Sequence, residues 1–260
     1  MSRTSQLGTL YLVPNTLGDV DRAQQLSSVL PLETMRLASQ LQHWIVEDAK
    51  TARALLKAID GISPLACSIQ EMHMSEWRGA ARNAKYGDKA KPETLLEPLL
   101  KGIDIGLMSE AGVPGVADPG AELVLAAHRM GAKVKPLVGP SSLLLALMAS
   151  GLNGQRFAFQ GYLPQDGTER LARLKQLETE SRKLEQTQLW IETPYRNAAM
   201  LTSCMQALAP QSRLCIAMDL SLASESIRCM PIGEWKKQFS SEASFASLQN
   251  RPAVFLLLAN

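Results

Sequence analysis

Two acidic side chains, Glu110 and Asp118, lie in a segment that is rich in glycine and proline. The segment, residues 109–120, reads S-E-A-G-V-P-G-V-A-D-P-G and holds three glycines and two prolines. Glycine and proline at this density do not continue a strand or build the interior of a helix. Backbone of this kind lets a ligand approach closely, so the segment indicates a small-molecule site with carboxylates beside it.

The neighbours of this segment place it at the end of a strand. An apolar run at residues 103–108 predicts a buried strand before it, and residues 121–130 predict a helix after it. Open α/β sheets bind their ligands at such strand ends. Two more loops, residues 14–19 and 139–142, also follow predicted strands. None of the three has the pattern of a phosphate-binding loop or of a dinucleotide-binding turn, which argues against both of those classes.

The first half of the chain alternates between strand-like and helix-like segments, which predicts a mostly parallel sheet covered by helices. Asp48 is the expected N-cap of the predicted helix at residues 51–59. The predicted strands are residues 10–13, 44–46, 65–69, 103–108 and 134–138, and the predicted helices are residues 51–59, 93–101 and 121–130.

The second half of the chain has strands with fewer crossover helices between them. Its predicted strands are residues 157–159, 188–192, 214–218 and 253–258, and its predicted helices are residues 143–152, 169–186 and 197–208. We therefore expect an α/β fold of two domains, with a parallel-sheet α/β domain at residues 1–138 and a mixed-sheet α+β domain at residues 139–260.

The composition excludes several classes of protein. The formal net charge of the 260 residues is +2, which gives the whole chain no strong electrostatic attraction to nucleic acid. The four cysteines form no C-x-x-C pair and the three histidines lack metal-ligand spacing, so we expect no metal site. No signal sequence and no apolar run of membrane-spanning length is present, which favours a cytoplasmic protein without membrane contact.

A basic stretch at residues 74–92 interrupts this pattern. It has no long apolar run and contains Trp77 among its charged residues. One interpretation is a solvated, mobile surface loop. The other is an arm that contacts the substrate, in which Trp77 would stack on it.

Six segments of the chain, in order, resemble those of the tetrapyrrole methylase superfamily, whose members are S-adenosylmethionine-dependent methyltransferases. Within it, they are most similar to the bacterial branch that methylates the ribose 2'-oxygen of small-subunit ribosomal RNA. The segments are residues 10–19 (L-Y-L-V-P-N-T-L-G-D), 46–56 (V-E-D-A-K-T-A-R-A-L-L), 109–120, 136–152, 157–164 (F-A-F-Q-G-Y-L-P) and 191–196 (I-E-T-P-Y-R).

The resemblance implies a homodimer of two-domain chains, with the methyl donor S-adenosylmethionine held between the domains. It also implies which residues contact the donor, through backbone amides and small side chains. Carried onto this sequence, those residues are Pro14, Ser109, Ala111, Gly112, Val113, Asp118, Ser141, Ser142, Glu192 and Tyr195.

The leading hypothesis for the reaction is methyl transfer to a hydroxyl oxygen of RNA. A ribose hydroxyl is a poor nucleophile, so a nearby base would help, and Glu47, Asp48 and Glu110 are the candidates, with Glu225 as a fourth. Each of these carboxylates has a structural alternative as a helix cap or an ion-pair partner. Lys50, Arg53 and Arg196 are candidates for binding phosphate, although Arg196 can equally pair with a carboxylate.

One departure from the ribosomal branch keeps two further functions open. Residues 218–222 read M-D-L-S-L where that branch carries Arg-Glu-Leu-Thr-Lys, so basic residues are missing there. The first alternative is a methyltransferase with a tetrapyrrole-like or other small-molecule acceptor. The second is a paralogue that binds the donor without catalysis.

Overall fold

The computed structural model describes residues 6–18, 22–80 and 91–259. The chain divides into two compact units, residues 1–141 and 142–260. The sequence had placed the boundary after residue 138. Each unit is described by itself below.

The first unit contains a five-stranded sheet whose strands are all parallel, in the order β3-β2-β4-β1-β5. The strands are β1 (Thr9–Leu12), β2 (His43–Val46), β3 (His73–Glu76), β4 (Ile105–Met108) and β5 (Lys133–Pro136). The helices are α1 (Arg22–Val29), α2 (Leu32–Ser39), α3 (Ala49–Asp60), α4 (Pro92–Leu95), α5 (Glu97–Leu100) and α6 (Gly120–Arg129). This alternation of strands and helices confirms the α/β prediction for the first half of the chain.

The central strand β4 lies between β2 and β1, and all four of its residues are buried. Its second residue is Gly106, over which the indole ring of Trp44 packs. A Cβ atom at Gly106 would lie 2.4 Å from that ring, a distance that real Cβ contacts do not show. The absence of a side chain in β4 is therefore what makes room for the buried Trp44 of β2.

The predicted strand at residues 65–69 is wrong, since the third strand of the sheet is His73–Glu76. Leu65, Cys67 and Ile69 alternate with exposed residues and pack against the core, which is the burial pattern of a half-buried strand. The backbone, however, does not join the sheet. Its Ala66 amide donates to the carbonyl of Ser39, at the end of α2.

Trp77 does not offer a stacking surface to a substrate. The side chain is 1% exposed, and its indole nitrogen donates to the carbonyl oxygen of Pro119 at 3.2 Å. Trp77 is therefore a core residue that follows β3. It belongs neither to a mobile surface loop nor to an arm that contacts the substrate, so both interpretations of this residue are wrong. Residues 81–90 of the same basic stretch lie outside the described residues.

The second unit contains a mixed sheet in the order β6-β7-β10-β8-β9, in which only β6 and β7 pair in parallel. The strands are β6 (Phe157–Tyr162), β7 (Thr187–Glu192), β8 (Arg213–Met218), β9 (Ser226–Pro231) and β10 (Ala253–Leu258). The helices are α7 (Ser142–Ser150), α8 (Gly167–Leu184), α9 (Asn197–Ala207) and α10 (Ile232–Gln238), with 3-10 turns at Pro194–Arg196 and Glu242–Leu248. A mixed sheet with flanking helices confirms the α+β prediction.

The core of the second unit lies on one face of its sheet, where Trp190 and Phe255 stack at 5.8 Å between ring centroids. Helices α8, α9 and α10 contribute Leu174, Leu201 and Trp235 to the same core. Among the described residues, no helix is long and apolar enough to cross a membrane.

We expect Gly106→Ala to destabilise the first unit by about 1–3 kcal/mol, because the new methyl group overpacks the core against Trp44. Gly61→Ala is the matched control, since a Cβ there would meet the Ala58 carbonyl oxygen at 3.5 Å, an ordinary contact. Denaturant unfolding of both variants measures the difference. Equal free energies of unfolding for the two would contradict the close approach of Trp44.

Candidate functional site

The loops that follow the parallel strands of the first unit meet at one edge of the sheet. Parallel strands end on the same side, so the segments after β1, β2, β4 and β5 all emerge there. Most of the sequence-predicted site residues of the first unit lie in these segments: Pro14, Glu47, Asp48, Ser109, Glu110, Ala111, Gly112, Val113, Asp118 and Ser141. The sheet therefore brings together residues that are about a hundred positions apart in the chain.

The buried side chain of Asn15 joins the β1 loop to the β4 loop. Its amide nitrogen donates to the carbonyl oxygens of Ser109 at 3.3 Å and of Glu110 at 2.9 Å. Its amide oxygen accepts a hydrogen bond from the Thr16 backbone at 2.8 Å. Two backbone hydrogen bonds add to this, from Asn15 to the Gly112 carbonyl and from Gly112 to the Thr16 carbonyl. One side chain thus satisfies carbonyl groups of the β4 loop that would otherwise be unpaired.

Asp118 holds the glycine-rich loop in its shape. Its carboxylate accepts hydrogen bonds from the Gly115 amide at 2.8 and 2.9 Å and from the Gly120 amide at 2.6 Å. Burial raises the pKa of Asp118, and the hydrogen bonds from Gly120, Gly115 and Val116 act in the opposite direction. Ser109 braces the loop's other end, since its hydroxyl donates to the carbonyls of Ala111 and Gly112.

Gly112 is the position where this loop needs glycine. Its φ angle is +69°, and a Cβ atom there would lie 3.2 Å from Leu17 and 3.4 Å from the carbonyl oxygen of Pro140. The β4 loop therefore packs between the β1 loop and the β5 loop. This close approach is why the three loops form one compact edge.

The three candidate carboxylates have different surroundings. Asp48 is the N-cap of α3, as predicted, and accepts from the amide and the hydroxyl of Thr51, both at 2.8 Å. These hydrogen bonds, with a smaller contribution from Arg78, lower the pKa of Asp48. Asp48 is thus committed to the helix and is a weak proton acceptor.

Glu47 and Glu110 are adjacent across the edge of the sheet. One carboxylate oxygen of half-buried Glu47 accepts the backbone N–H of Glu110 at 3.0 Å. The side chain of Glu110 is exposed and, among the described residues, its carboxylate has no hydrogen-bond or ion-pair partner. Of the candidate bases in the first unit, Glu110 is the one whose carboxylate stays available.

The predicted phosphate ligands Lys50 and Arg53 lie on α3, directly behind Asp48. Both are exposed, and Lys57 lies on the same face because residues three, four and seven apart share one side of a helix. Within the described ranges, none of the three has an ion-pair partner. We refer to Lys50, Arg53 and Lys57 as the α3 basic stripe.

In the second unit, the predicted residues Glu192 and Arg196 pair with each other. The Glu192 carboxylate is buried, and one of its oxygens lies 3.1 Å from the Arg196 guanidinium in an ion pair. The other oxygen accepts from the amide and hydroxyl of Thr193. The alternative role of Arg196, pairing with a carboxylate, is the one the structure has. Ser142 is the first residue of α7, and Tyr195 is 71% exposed.

The stretch at residues 218–222, where basic residues are missing, forms an ion pair with Arg251. Asp219 has a φ of 50°, and its carboxylate accepts from Arg251 at 2.7 Å and from the Ser224 hydroxyl at 2.8 Å. Glu225, the fourth candidate base, accepts from the backbone of Ser221 at 2.8 Å. These acids therefore stabilise the β8–β9 connection.

Across the parts of the chain that the structure describes, no three His, Cys, Asp or Glu side chains lie close enough to hold a metal ion. A small cavity of about 10 Å³, with room for about one water molecule, lies beneath the loop and is lined by Glu47, Ser109 and Asp118 among others.

Comparison with curated proteins assigns the chain to a family. No protein-family model matches it. Ribosomal RNA small subunit methyltransferase I of Escherichia coli O157:H7 is 30% identical over 241 residues, which cover 91% of this chain and 75% of that protein. The protein of the same name from Vibrio cholerae is 29% identical over 226 residues, covering 86% and 69%. The chain belongs to the ribosomal RNA small subunit methyltransferase I family. It is therefore a methyltransferase, as the sequence predicted.

Solved structures show the fold of this methyltransferase. Uroporphyrin III C-methyltransferase from Thermus thermophilus matches with a TM-score of 0.56 and 17% identity, over 96% of this chain and 97% of that one. Diphthine synthase matches with a TM-score of 0.58 and 16% identity, over 97% and 90%. The two-domain tetrapyrrole-methylase fold is thus confirmed.

Sequence reasoning missed Asn15, which it took for an ordinary turn residue. One indication of its importance was present in the sequence. Asn15 comes directly after the strand and Pro14, in a segment that matches the methyltransferase family. Nothing in the local sequence shows that the side chain is buried, because its partners lie 94 and 95 residues away.

We expect Asn15→Ala to destabilise this methyltransferase by about 1–3 kcal/mol, since buried carbonyl groups lose their donor. Asn15→Asp is expected to cost at least as much, because a carboxylate cannot donate to the two carbonyls. Thr16→Ser is the control, as it keeps the hydroxyl that donates to the Gly18 carbonyl. Free energies of unfolding from denaturant titration test this, and a stable Asn15→Asp variant would contradict it.

Proposed function

We propose that this methyltransferase transfers a methyl group from S-adenosylmethionine to the ribose 2'-hydroxyl of ribosomal RNA. The observation that carries the proposal is the family membership, together with the joined β1, β4 and β5 loops at the carboxyl edge of the parallel sheet. The relatives' name supplies ribosomal RNA as the acceptor. A Thermus thermophilus neighbour of the same fold was solved as a complex with S-adenyl homocysteine, the demethylated donor.

The β4 loop fits a donor that carries a carboxylate and hydrogen-bonding edges. The backbone amides of Ala111 and Val113 donate to no group among the described residues, so both are available to a ligand. Ser109, Gly112 and Asp118 already bond within the loop, and we propose that they hold its shape around the donor. The bound donor supplies an electrophilic methyl group on a sulfonium centre. Pro14, Ser141 and, in the second unit, Ser142, Glu192 and Tyr195 stay predicted donor contacts.

Glu110 is our candidate for the group that takes the proton from the acceptor hydroxyl. Its exposed carboxylate lies within the β4 loop, next to Ala111, and it has no partner among the described residues. Glu47 is placed to orient it, because the Glu47 carboxylate binds the Glu110 amide. Asp48 is engaged as a helix cap, so we assign it a structural role.

The α3 basic stripe supports a polyanionic acceptor. Lys50, Arg53 and Lys57 run from the carboxyl edge of the sheet down one exposed face of α3. The Cβ atoms of successive cations on such a face lie about 5–6 Å apart, so the stripe presents neighbouring positive charges that a polyanion can contact together. Arg196, by contrast, is neutralised by Glu192 and contributes little to phosphate binding.

Two further parts of the proposal come from the resemblance alone. We propose that the protein acts as a homodimer and that it works in the cytoplasm, where ribosomal RNA is accessible. Sedimentation of the purified protein tests the first part, and fractionation of cells tests the second.

The function is tested with labelled S-adenosylmethionine and ribosomal RNA from cells that lack this protein. We expect the protein to label this RNA and to leave RNA from normal cells unlabelled, with the label on a ribose 2'-oxygen after nuclease digestion. Equal labelling of the two RNAs would argue against ribosomal RNA, and label in a small-molecule fraction would favour the alternative acceptor.

Glu110→Gln is expected to lower kcat by about a hundredfold, the usual contribution of a general base. Glu97→Gln, at an exposed site on α5, is the control.

The α3 basic stripe makes a separate prediction about salt. Replacing Lys50, Arg53 and Lys57 together by alanine should weaken RNA binding and lower the slope of log Kd against log salt by about 2, or about 0.7 per phosphate contact. The matched control replaces Lys101, Arg129 and Lys133, three exposed cations at the opposite end of the strands. An unchanged slope in the first variant would show that α3 is not part of the RNA-binding surface. It would not affect the assignment of the chain as a methyltransferase.

A further inference from the structure

Two cysteines of the second unit lie opposite each other on neighbouring strands. Cys215 of β8 and Cys229 of β9 are direct partners in an antiparallel register, and both are free thiols. Directly opposed residues project to the same face of the sheet, with Cα atoms about 4.5–5.5 Å apart. That separation lies within the range of about 4.4–6.8 Å in which disulfides form.

The two thiols differ in exposure and in acidity. Cys229 is exposed at the sheet edge, while Cys215 is fully buried beneath it. A hydrogen bond from the Cys215 thiol lowers the pKa of Cys229 to about 7. Partial burial of Cys229 acts in the opposite direction, and the positive charge of Arg213 lowers the pKa further. The same hydrogen bond and burial raise the pKa of Cys215. The pair therefore combines an exposed thiol of lowered pKa with a buried, protonated thiol directly opposite it.

The remaining cysteines lack these features. Cys204 is buried in the core of the second unit, where burial raises its pKa. Cys67 is half-buried in the first unit and packs against its core. Neither has a cysteine opposite it in a strand pair. The chain thus contains two internal standards against which the reactivity of the pair can be measured.

We propose that Cys229 and Cys215 form a site of reversible oxidation, in which a peroxide converts the two thiols into a cross-strand disulfide. The Cys229 thiolate attacks one oxygen of hydrogen peroxide and breaks the O–O bond, which gives Cys229 sulfenic acid and hydroxide. The Cys215 sulfur then attacks the sulfenic sulfur and displaces hydroxide as the S–S bond forms. The proton from Cys215 and one from solvent convert the two hydroxides to water, so one peroxide is reduced as two thiols are oxidised.

The position of the pair explains what the bond would do. Strand β9 is at the edge of the sheet and pairs only with β8. Backbone hydrogen bonds and the packing of α10 and α7 hold it there. A disulfide would fasten this edge covalently to β8 and remove the one exposed cysteine of the second unit.

The experiment treats the reduced, full-length protein with one equivalent of hydrogen peroxide. We expect two of the four thiols to disappear, the intact mass to fall by about 2 Da, and a disulfide-linked peptide pair containing Cys215 and Cys229 to appear. Dithiothreitol should restore both thiols. Cys215→Ser should instead stop at a sulfenic acid that dimedone traps on Cys229, and Cys67→Ser should behave as the unaltered protein does.

A second measurement uses the unaltered protein and therefore does not depend on whether a variant folds. At pH 7, iodoacetamide should alkylate Cys229 about tenfold faster than Cys67, because Cys229 is exposed and its pKa is lowered, whereas Cys67 is half-buried against the core. The rate at Cys229 should reach half its maximum near pH 7. Equal rates at the two cysteines, or a linked peptide with any other pairing, would overturn the proposal.

Discussion

The side chain of Asn15 is the contact on which the candidate site depends. Strands β1 and β4 are neighbours, and the loops that follow them share two backbone hydrogen bonds, which do not reach the carbonyls of Ser109 and Glu110. A buried carbonyl without a donor costs about 1–3 kcal/mol, so a polar side chain that reaches both carbonyls stabilises the contact between the loops. Asn15 is suited to this because its amide donates two hydrogen bonds and accepts one. Both the amino group and the oxygen of the amide are hydrogen-bonded, which fixes the β4 loop in one position.

The sheet below supplies the other constraint. Gly106 makes room for the ring of Trp44 beside the central strand, and the parallel backbone ladder sets the distance between β2 and β4. The carboxyl ends of these strands carry Glu47 and Ser109, so the separation of the two strands determines the separation of those residues. Glu47 then binds the Glu110 amide across the gap. The pairing of β2 with β4 and the Glu47 hydrogen bond therefore determine where the backbone of Glu110 lies, and with it the exposed carboxylate that we assign to proton transfer.

The sequence was most informative where a local pattern has a single structural outcome. The apolar run before the glycine-rich loop and the cap at Asp48 were both predicted and are both observed. Residues 65–69 were mistaken for a strand because alternate burial on a loop is the same pattern as alternate burial in a sheet. Trp77 was misjudged because its charged neighbours in sequence are not its neighbours in space. Asn15 could not be assigned a role, since its partners lie 94 and 95 residues away. Cys229 could not be paired with Cys215, since their opposition depends on the register of β8 and β9.

The charges of the second unit bear on how the acceptor is held. At the two positions where the ribosomal branch carries basic residues, this chain has Met218 and Leu222, and the Asp219 between them pairs with Arg251. Arg196 is neutralised in the same way by Glu192. Two cations that a sequence count would offer to phosphate therefore satisfy buried carboxylates, which would be costly to leave unpaired. Because the net charge of the chain is only +2, binding of RNA must rely on local groups of unpaired cations. Among the described residues, the α3 basic stripe is such a group, and it begins at the edge of the sheet where Glu110 lies.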